Sequence, residues 1–96
     1  MLHLIFQASA NATLLDRIAT GDVAVFLESG VFSVLKRGNS ADLIENKLTT
    51  NSIYVLSEDM VIRGIQESQL VNGMKIIDYY ALVNLTIKIP LNASWY

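Results

Sequence analysis

The hydrophobic residues of this chain fall into four short runs that lack the alternation of a half-exposed strand. The runs occupy positions 2–6, 23–27, 53–56 and 74–77. Each run is too short for a helix and contains β-branched or aromatic side chains, which favours strands. Because continuous apolar strands need burial on both faces, the pattern indicates a parallel sheet covered by other elements on each side.

Helical sequence follows each of these runs. Helices are predicted around positions 14–18, 31–35, 43–48, 57–63 and 79–85. Ser57 is predicted to cap the helix after the third run, with Glu58 and Asp59 near the positive end of its dipole and Gly64 at its end. Asp78 is predicted to cap the last helix in the same way.

Strands that alternate with helices predict the fold class. Parallel neighbours need crossover connections, and those connections cover the faces of the sheet. The prediction is an α/β fold, a small three-layer sandwich with a mainly parallel sheet of four or five strands. Residues 86–89 are the candidate fifth strand, at an edge, and Pro90 marks its end because proline cannot donate to the ladder. The 96 residues are expected to form one domain, 1–96.

Composition adds an expectation about partners. The chain is 52% hydrophobic and 17% charged, against about 45–50% and 25% in typical domains. A chain this small cannot readily hide that much apolar surface, so oligomers are expected, including a homo-oligomer when the chain is expressed alone. Its net charge of −2 and scattered basic residues argue against direct nucleic-acid binding. With no secretion signal and no long apolar run, a cytoplasmic protein without membrane contact is expected.

Carboxylates are the most conspicuous candidate chemistry. Sites in open parallel sheets lie beyond the carboxyl ends of the strands, where Glu28, Glu58, Asp59 and Asp78 are expected to gather. An acidic edge without a glycine-rich phosphate motif does not suit nucleotides. It suits a divalent cation or an acid/base pair, as in a small metal-dependent enzyme. Helix capping explains Asp78, and first-turn placement explains Glu58 and Asp59, without any chemistry, and we favour that interpretation.

No catalytic, cofactor-binding or metal-binding residue is therefore predicted. His3, the single histidine, lies inside the first strand and is expected to be structural, and the chain has no cysteine to act as a nucleophile. Asp59 and Arg63 are four residues apart on one predicted helix, a spacing at which opposite charges can form an ion pair. Trp95 and Tyr96 either fold back on the core or dock on a partner. These last four residues are the candidate subunit interface.

Several short blocks of residues stand out along the chain, in a fixed order. They are Met1-Leu2-His3, Gly21-Asp22 with the strand to Leu27, Gly30-Val31, Tyr54 and Leu56, Glu58-Asp59, Arg63-Gly64, Ile77-Asp78-Tyr79 with Val83, Leu85 and Thr86, and Ser94-Trp95. In order, spacing and length these blocks resemble the TusB/DsrH family of sulfur-relay subunits over nearly all 96 positions. Ser29 departs from the acidic residue that the family usually has before Gly-Val.

The resemblance implies a DsrE/F/H-like fold and a place in a heterohexamer of three homologous small chains, two copies of each. Such a complex receives sulfur as a persulfide on a cysteine of a sister subunit. It passes the sulfur through a small acceptor protein toward 2-thiolation of the tRNA wobble uridine. This chain would then be a non-catalytic structural subunit without a cofactor.

Two other assignments stay open beside the metal-dependent enzyme. One is a DsrH-like subunit in sulfur oxidation, and the other is a stand-alone homo-oligomer. The lack of cysteine favours the tRNA branch, because DsrH-type relatives in sulfur oxidisers can carry a cysteine of their own.

Overall fold

The computed structural model describes residues 1–89 and 92–96, and the strands in these ranges form one five-stranded sheet. In chain order the elements are β1 (Leu2–Ile5), α1 (Ala12–Asp16), β2 (Val23–Phe26), a 3₁₀ helix (Glu28–Val34), α2 (Ala41–Lys47), β3 (Ser52–Leu56), α3 (Ser57–Ile62), a 3₁₀ turn (Glu67–Gln69), β4 (Lys75–Ile77), α4 (Tyr79–Lys88) and β5 (Asn92–Trp95). The sheet order is β4-β3-β2-β1-β5, and every neighbouring pair is parallel.

The two faces of the sheet carry unequal layers. The connections from β1 to β4 step in one direction across the sheet, whereas the last connection returns from β4 at one edge to β5 at the other. Because crossovers between parallel strands are right-handed, a step in the opposite direction places its connection on the opposite face. The core follows this rule. Residues of α1, α2 and α3 share one hydrophobic cluster, and Leu82 of α4 belongs to a second cluster on the other side.

The α4 layer is thin. A single helix is about 10–12 Å in diameter with its side chains, while the outer strands of a five-stranded sheet lie about 19 Å apart. One helix cannot cover such a face, so apolar side chains of the sheet stay only partly buried beneath it. They are Leu4, Phe6, Val23, Tyr54 and Ile77.

The fold class predicted from the sequence is confirmed. All four predicted strands are present, helices lie on both faces, and Asp78 caps α4 by accepting a hydrogen bond from the Ala81 N–H at 2.8 Å. Gly64 follows α3 with φ +68°, a left-handed conformation that glycine adopts without strain.

Two local predictions are wrong. Residues 86–88 continue α4, because its Asp78 cap starts a helical ladder in which Leu82 and Leu85 both face the sheet. The edge strand is β5, further along the chain, and Pro90, predicted to end a strand, lies outside the described residues. Ser57 does not cap α3, since β3 runs directly into the helix and Leu56 holds the cap position; the Ser57 hydroxyl donates to Glu58 instead.

Gly30 sets the approach of the first 3₁₀ helix to the sheet. A Cβ atom at this position would overlap the backbone carbonyl oxygen of Ile5 and lie 3.0 Å from its carbonyl carbon. Neither backbone can withdraw easily, because the Leu27 N–H donates to that same Ile5 oxygen at 3.1 Å.

Gly30→Ala is therefore expected to lower the free energy of unfolding by about 3 kcal/mol, the upper end of the usual cost of overpacking. Urea unfolding followed by circular dichroism measures the loss. Ser29→Ala, one residue earlier and exposed, is the control, with an expected change within about 0.5 kcal/mol. Equal stability of the two variants would show that the 3₁₀ helix can move away from β1.

Candidate functional site

The segments at the carboxyl ends of the strands meet as the sequence predicts. The Glu28 N–H, just after β2, donates to Asp59 Oδ2 at 2.6 Å, and the Tyr79 N–H, just after β4, donates to Glu58 Oε2 at 3.1 Å. Glu58 and Asp59 begin α3 directly after β3. Two adjacent carboxylates on α3 thus tie the ends of the strands on either side of β3.

These hydrogen bonds engage the carboxylates in structural roles. The backbone N–H of Tyr79, followed by the N–H of Glu58 itself and the Ser57 hydroxyl, lowers the pKa of the Glu58 carboxyl. Asp59 also pairs with Arg63, whose Nη1 lies 3.5 Å from Oδ1. The Asp78 side chain accepts the hydrogen bond from Ala81 that caps α4. Among residues 1–89 and 92–96, no three histidine, aspartate or glutamate side chains converge in a way that could hold a metal ion.

The loop after β1 is also held by its own neighbours. The Ser33 hydroxyl donates to the Gln7 carbonyl at 2.7 Å and accepts the Ala10 N–H at 3.0 Å, while the Ser40 hydroxyl donates to the Ala10 carbonyl. A cleft lies elsewhere, lined by Leu35, Lys36, Arg37, Ser68 and Gln69. None of the four carboxylates lines it, so the cleft and the acidic edge do not form one site.

A second polar cluster lies on the sheet around His3, which is 2% exposed. The imidazole Nε2 lies 2.9 Å from Asp22 Oδ2, and Nδ1 accepts a hydrogen bond from Trp95 Nε1 at 3.1 Å. Indole is only a donor, so Nδ1 carries no proton and Nε2 donates to Asp22. Both ring nitrogens are therefore satisfied, which agrees with the structural role predicted for His3.

Asp22 collects several donors in this cluster. Its side chain accepts from His3, from the Met1 amine at 3.0 Å and from the Ala19 N–H at 3.2 Å. The hydrogen bond from His3, followed by that from the Met1 amine, lowers the pKa of the Asp22 carboxyl below its ordinary value of 3.8. Nearby, the buried Asn51 side-chain amide donates to the backbone carbonyl of Asp22 at 2.8 Å.

The candidate interface residues form two separate pairs. Trp95 and Tyr96 fold back on the sheet: Trp95 stacks over His3, with Arg17 at 5.8 Å from the indole centroid, and Tyr96 stacks on Phe6 at 4.8 Å. The Asp59–Arg63 pair belongs to α3, which follows β3, and β2 and β1 separate β3 from β5. The structure brings the members of each pair together but not the two pairs.

Sequence reasoning missed the partners of His3. Asp22 and Trp95 stand 19 and 92 positions away from it, so no local spacing reveals the contacts. A signal was nevertheless present, because the blocks that carry the family resemblance include all three residues. The cluster gives those distant blocks a common physical role.

Exposed apolar side chains are concentrated on two helices. On α4, Tyr79, Tyr80, Val83 and Ile87 point away from the sheet, and Tyr80 and Ile87 are about three-quarters exposed, at 76% and 75%. On α3, Val61 and Ile62 are equally exposed. None of the helices in the described parts of the chain is long and apolar enough to cross a membrane.

Comparison with known proteins places the chain among small α/β proteins. A family model described as "DsrH like protein" matches residues 5–90. Protein TusB of Pectobacterium parmentieri is 35% identical over 99% of this chain and 100% of its own length, and Protein TusB of Escherichia coli K12 is 30% identical over the same shares. A solved protein of unknown function from Methanobacterium thermoautotrophicum has the same fold, with a TM-score of 0.76 at 10% identity, covering 97% of this chain and 95% of that one.

Asp22→Asn tests the electrostatic content of the His3 cluster. Because folding lowers the pKa of Asp22, its ionised form stabilises the protein above the unfolded pKa, and that stability is lost as pH falls through the folded pKa. At neutral pH the variant is expected to lose about 1.5–3 kcal/mol of unfolding free energy, the range for hydrogen bonds to charged groups.

The difference between variant and native chain is expected to shrink as the pH falls through the lowered folded pKa of Asp22, and to approach zero only where Asp22 is protonated in both states. Urea unfolding at two pH values, neutral pH and the lowest pH at which the native chain stays folded, measures it. Asp16→Asn, at an exposed position on α1, is the control and is expected to stay within about 0.5 kcal/mol. A loss of equal size at both pH values would contradict the electrostatic explanation.

Proposed function

The chain belongs to the DsrH-like protein family, and from this premise we propose that it is a structural subunit of a sulfur-relay complex that supports 2-thiolation of the tRNA wobble uridine. The 96 residues contain no cysteine, so the persulfide of the relay is carried by a homologous sister subunit. In this proposal the chain itself is not catalytic and needs no cofactor.

The observation that carries this proposal is the thin α4 layer. One ten-residue helix covers a face of a five-stranded sheet, and its own outer side carries Tyr79, Tyr80, Val83 and Ile87 in exposed positions. Continuous exposed apolar surface of this kind is typical of protein contact sites. A subunit that buries this surface against a homologous chain gains the hydrophobic stabilisation that a lone chain lacks.

In a complex of three different chains, a chain that lies between two others needs a separate contact surface for each of them. Exposed apolar side chains on α4 and on α3 support two such surfaces. We assign the first to the outer side of α4 together with the C-terminal pair, where Tyr96 is 85% exposed. The second is α3, where Val61 and Ile62 lie beside the Asp59–Arg63 ion pair. The helices α4 and α3 lie on opposite faces of the sheet and so suit two different partners. Of the C-terminal pair, Tyr96 extends the α4 side through its stacking on Phe6, whereas Trp95 packs with the cluster of α1, α2 and α3 at the edge of the sheet.

The rest of the proposal follows the family. The partners are two homologous relay subunits, one with the persulfide cysteine, and a small sulfur acceptor reached through the complex, all in the cytoplasm. The net charge of −2 supports a role in which the tRNA is handled by other proteins. The hydrogen bonds that engage Glu58, Asp59 and Asp78 offer no support for a metal-dependent enzyme.

The deciding experiment is the native mass of the tagged chain, expressed alone and with its two nearest homologues from the same genome. A mass equal to two copies of each chain supports the relay subunit, and failure to associate contradicts it. Deletion of the gene should also remove most 2-thiouridine from the wobble position of the affected tRNAs. Unchanged thiouridine with an intact complex would instead favour the sulfur-oxidation branch.

Replacing Tyr80 and Ile87 together by Gln tests the α4 surface. Both side chains are exposed and glutamine keeps good helix propensity, so the free energy of unfolding is expected to change by less than about 0.5 kcal/mol. Assembly with the homologues is expected to weaken at least tenfold, which a dilution series in native mass measurements would show. Leu43→Gln, on α2 at the other face of the sheet, is the matched control. If the double variant assembled at the same concentration as the native chain, α4 would be excluded as a contact.

A further inference from the structure

We infer that His3 is a protonation-dependent latch for the C-terminal strand: the neutral imidazole holds the Trp95 end of β5 on the sheet, and the imidazolium releases it. The inference concerns the chain by itself. It does not rest on the assignment to a sulfur relay, although Trp95 and Tyr96 belong to the proposed contact surface.

The latch depends on which ring nitrogen carries the proton. Trp95 Nε1 lies 3.1 Å from His3 Nδ1, and an indole nitrogen donates but never accepts. This bond exists only while Nδ1 keeps its lone pair. The proton of the neutral ring is on Nε2, which lies 2.9 Å from Asp22 Oδ2.

Protonation changes one of the two bonds and keeps the other. The imidazolium has N–H groups at both nitrogens, so the bond to Asp22 becomes a stronger charge-assisted one. At Nδ1, by contrast, two N–H donors point at each other, and neither has an acceptor. The histidine remains anchored by Asp22, and the tryptophan is the group that must leave.

The charges around His3 make this outcome feasible within the folded protein. Asp22 faces Nε2 and favours the imidazolium, whereas the Met1 amine on the other Asp22 oxygen and the Arg17 guanidinium near the indole oppose it. Lys47, from α2, is directed at the Ile18 carbonyl. Among residues 1–89 and 92–96, Asp22 is the carboxylate that contacts His3, and it is shared with the Met1 amine.

β5 is the element that one lost bond can free. It is an edge strand, and its four residues pair with β1 alone. Beyond the ladder, its end is held by the Phe6 N–H to the Trp95 carbonyl at 2.8 Å, the Trp95 bond to His3 and the stacking of Tyr96 on Phe6. Chain ends and edge strands open locally far more easily than central strands do.

The chain contains one tryptophan and one histidine. Tryptophan fluorescence therefore reports on Trp95 alone, and the imidazole NMR signals report on His3 alone. Histidine changes its charge between about pH 8 and 5. Over this range we would follow acrylamide quenching of Trp95 fluorescence, and the imidazole ring protons of His3 by NMR. We expect quenching to increase about twofold with the same midpoint as the His3 titration, while far-UV circular dichroism stays constant. His3→Gln, which cannot take up a proton, should show a flat quenching profile.

Each other outcome overturns the latch. Constant quenching while His3 titrates shows that protonation does not release Trp95, and a His3 that never titrates in this range shows that the device cannot operate. A transition that persists in His3→Gln belongs to another group. A loss of circular dichroism at the same midpoint means that the whole chain unfolds, not that β5 detaches.

A second variant keeps the test decisive if His3→Gln does not fold. Trp95→Phe removes the indole donor and retains an aromatic side chain. Amide hydrogen exchange at residues 93–96, corrected for the intrinsic pH dependence, should be fast in this variant at both pH values and fast in the native chain only at the lower one. Equally slow exchange in the variant and the native chain at neutral pH would contradict the role given to the Trp95–His3 bond.

Discussion

β1 pairs in parallel with β2 on one side and with β5 on the other, so the last strand of the chain must return beside the first. Three connections step away from β1 in one direction, and the fourth crosses the whole sheet in the other. The handedness of parallel crossovers then leaves α4 as the one helix on its face within the described part of the chain. The thin layer, the exposed apolar side of α4 and the isolated position of β5 all follow from that single reversal.

The polar cluster around His3 makes the return of the chain specific. Burial of an imidazole and an indole N–H is favourable only when both find partners. His3, Asp22 and Trp95 supply those partners to each other from the first strand, the turn before the second strand and the last strand. The register Leu2↔Asn92 to Ile5↔Trp95 is the one in which these groups meet. Hydrogen bonding thus helps to fix the register of a short edge strand in which none of residues 93–95 is fully buried.

At the opposite end of the sheet, acidic side chains hold the segments that follow neighbouring strands. Glu58 and Asp59 start α3, and each accepts a backbone N–H from the end of a neighbouring strand. Glu28 has a left-handed backbone, with φ +52°, at the point where its N–H turns toward Asp59. A carboxylate that satisfies backbone donors in this way connects loops.

The sequence by itself determined the first four strands, the parallel α/β class, the caps at Asp78 and Gly64 and the excess of apolar surface. Each of these depends on neighbours within a few residues or on composition. It also marked His3, Asp22 and Trp95 through the blocks of the family resemblance, without showing that they touch. Residues 86–88 are helical because Leu82 and Leu85 pack on the sheet. Their contacts there are with residues far away in the sequence, so a short stretch of sequence does not reveal them. The tertiary structure alone decided the place of β5 and the partners of His3, because contacts across 92 positions depend on how the crossovers fold back.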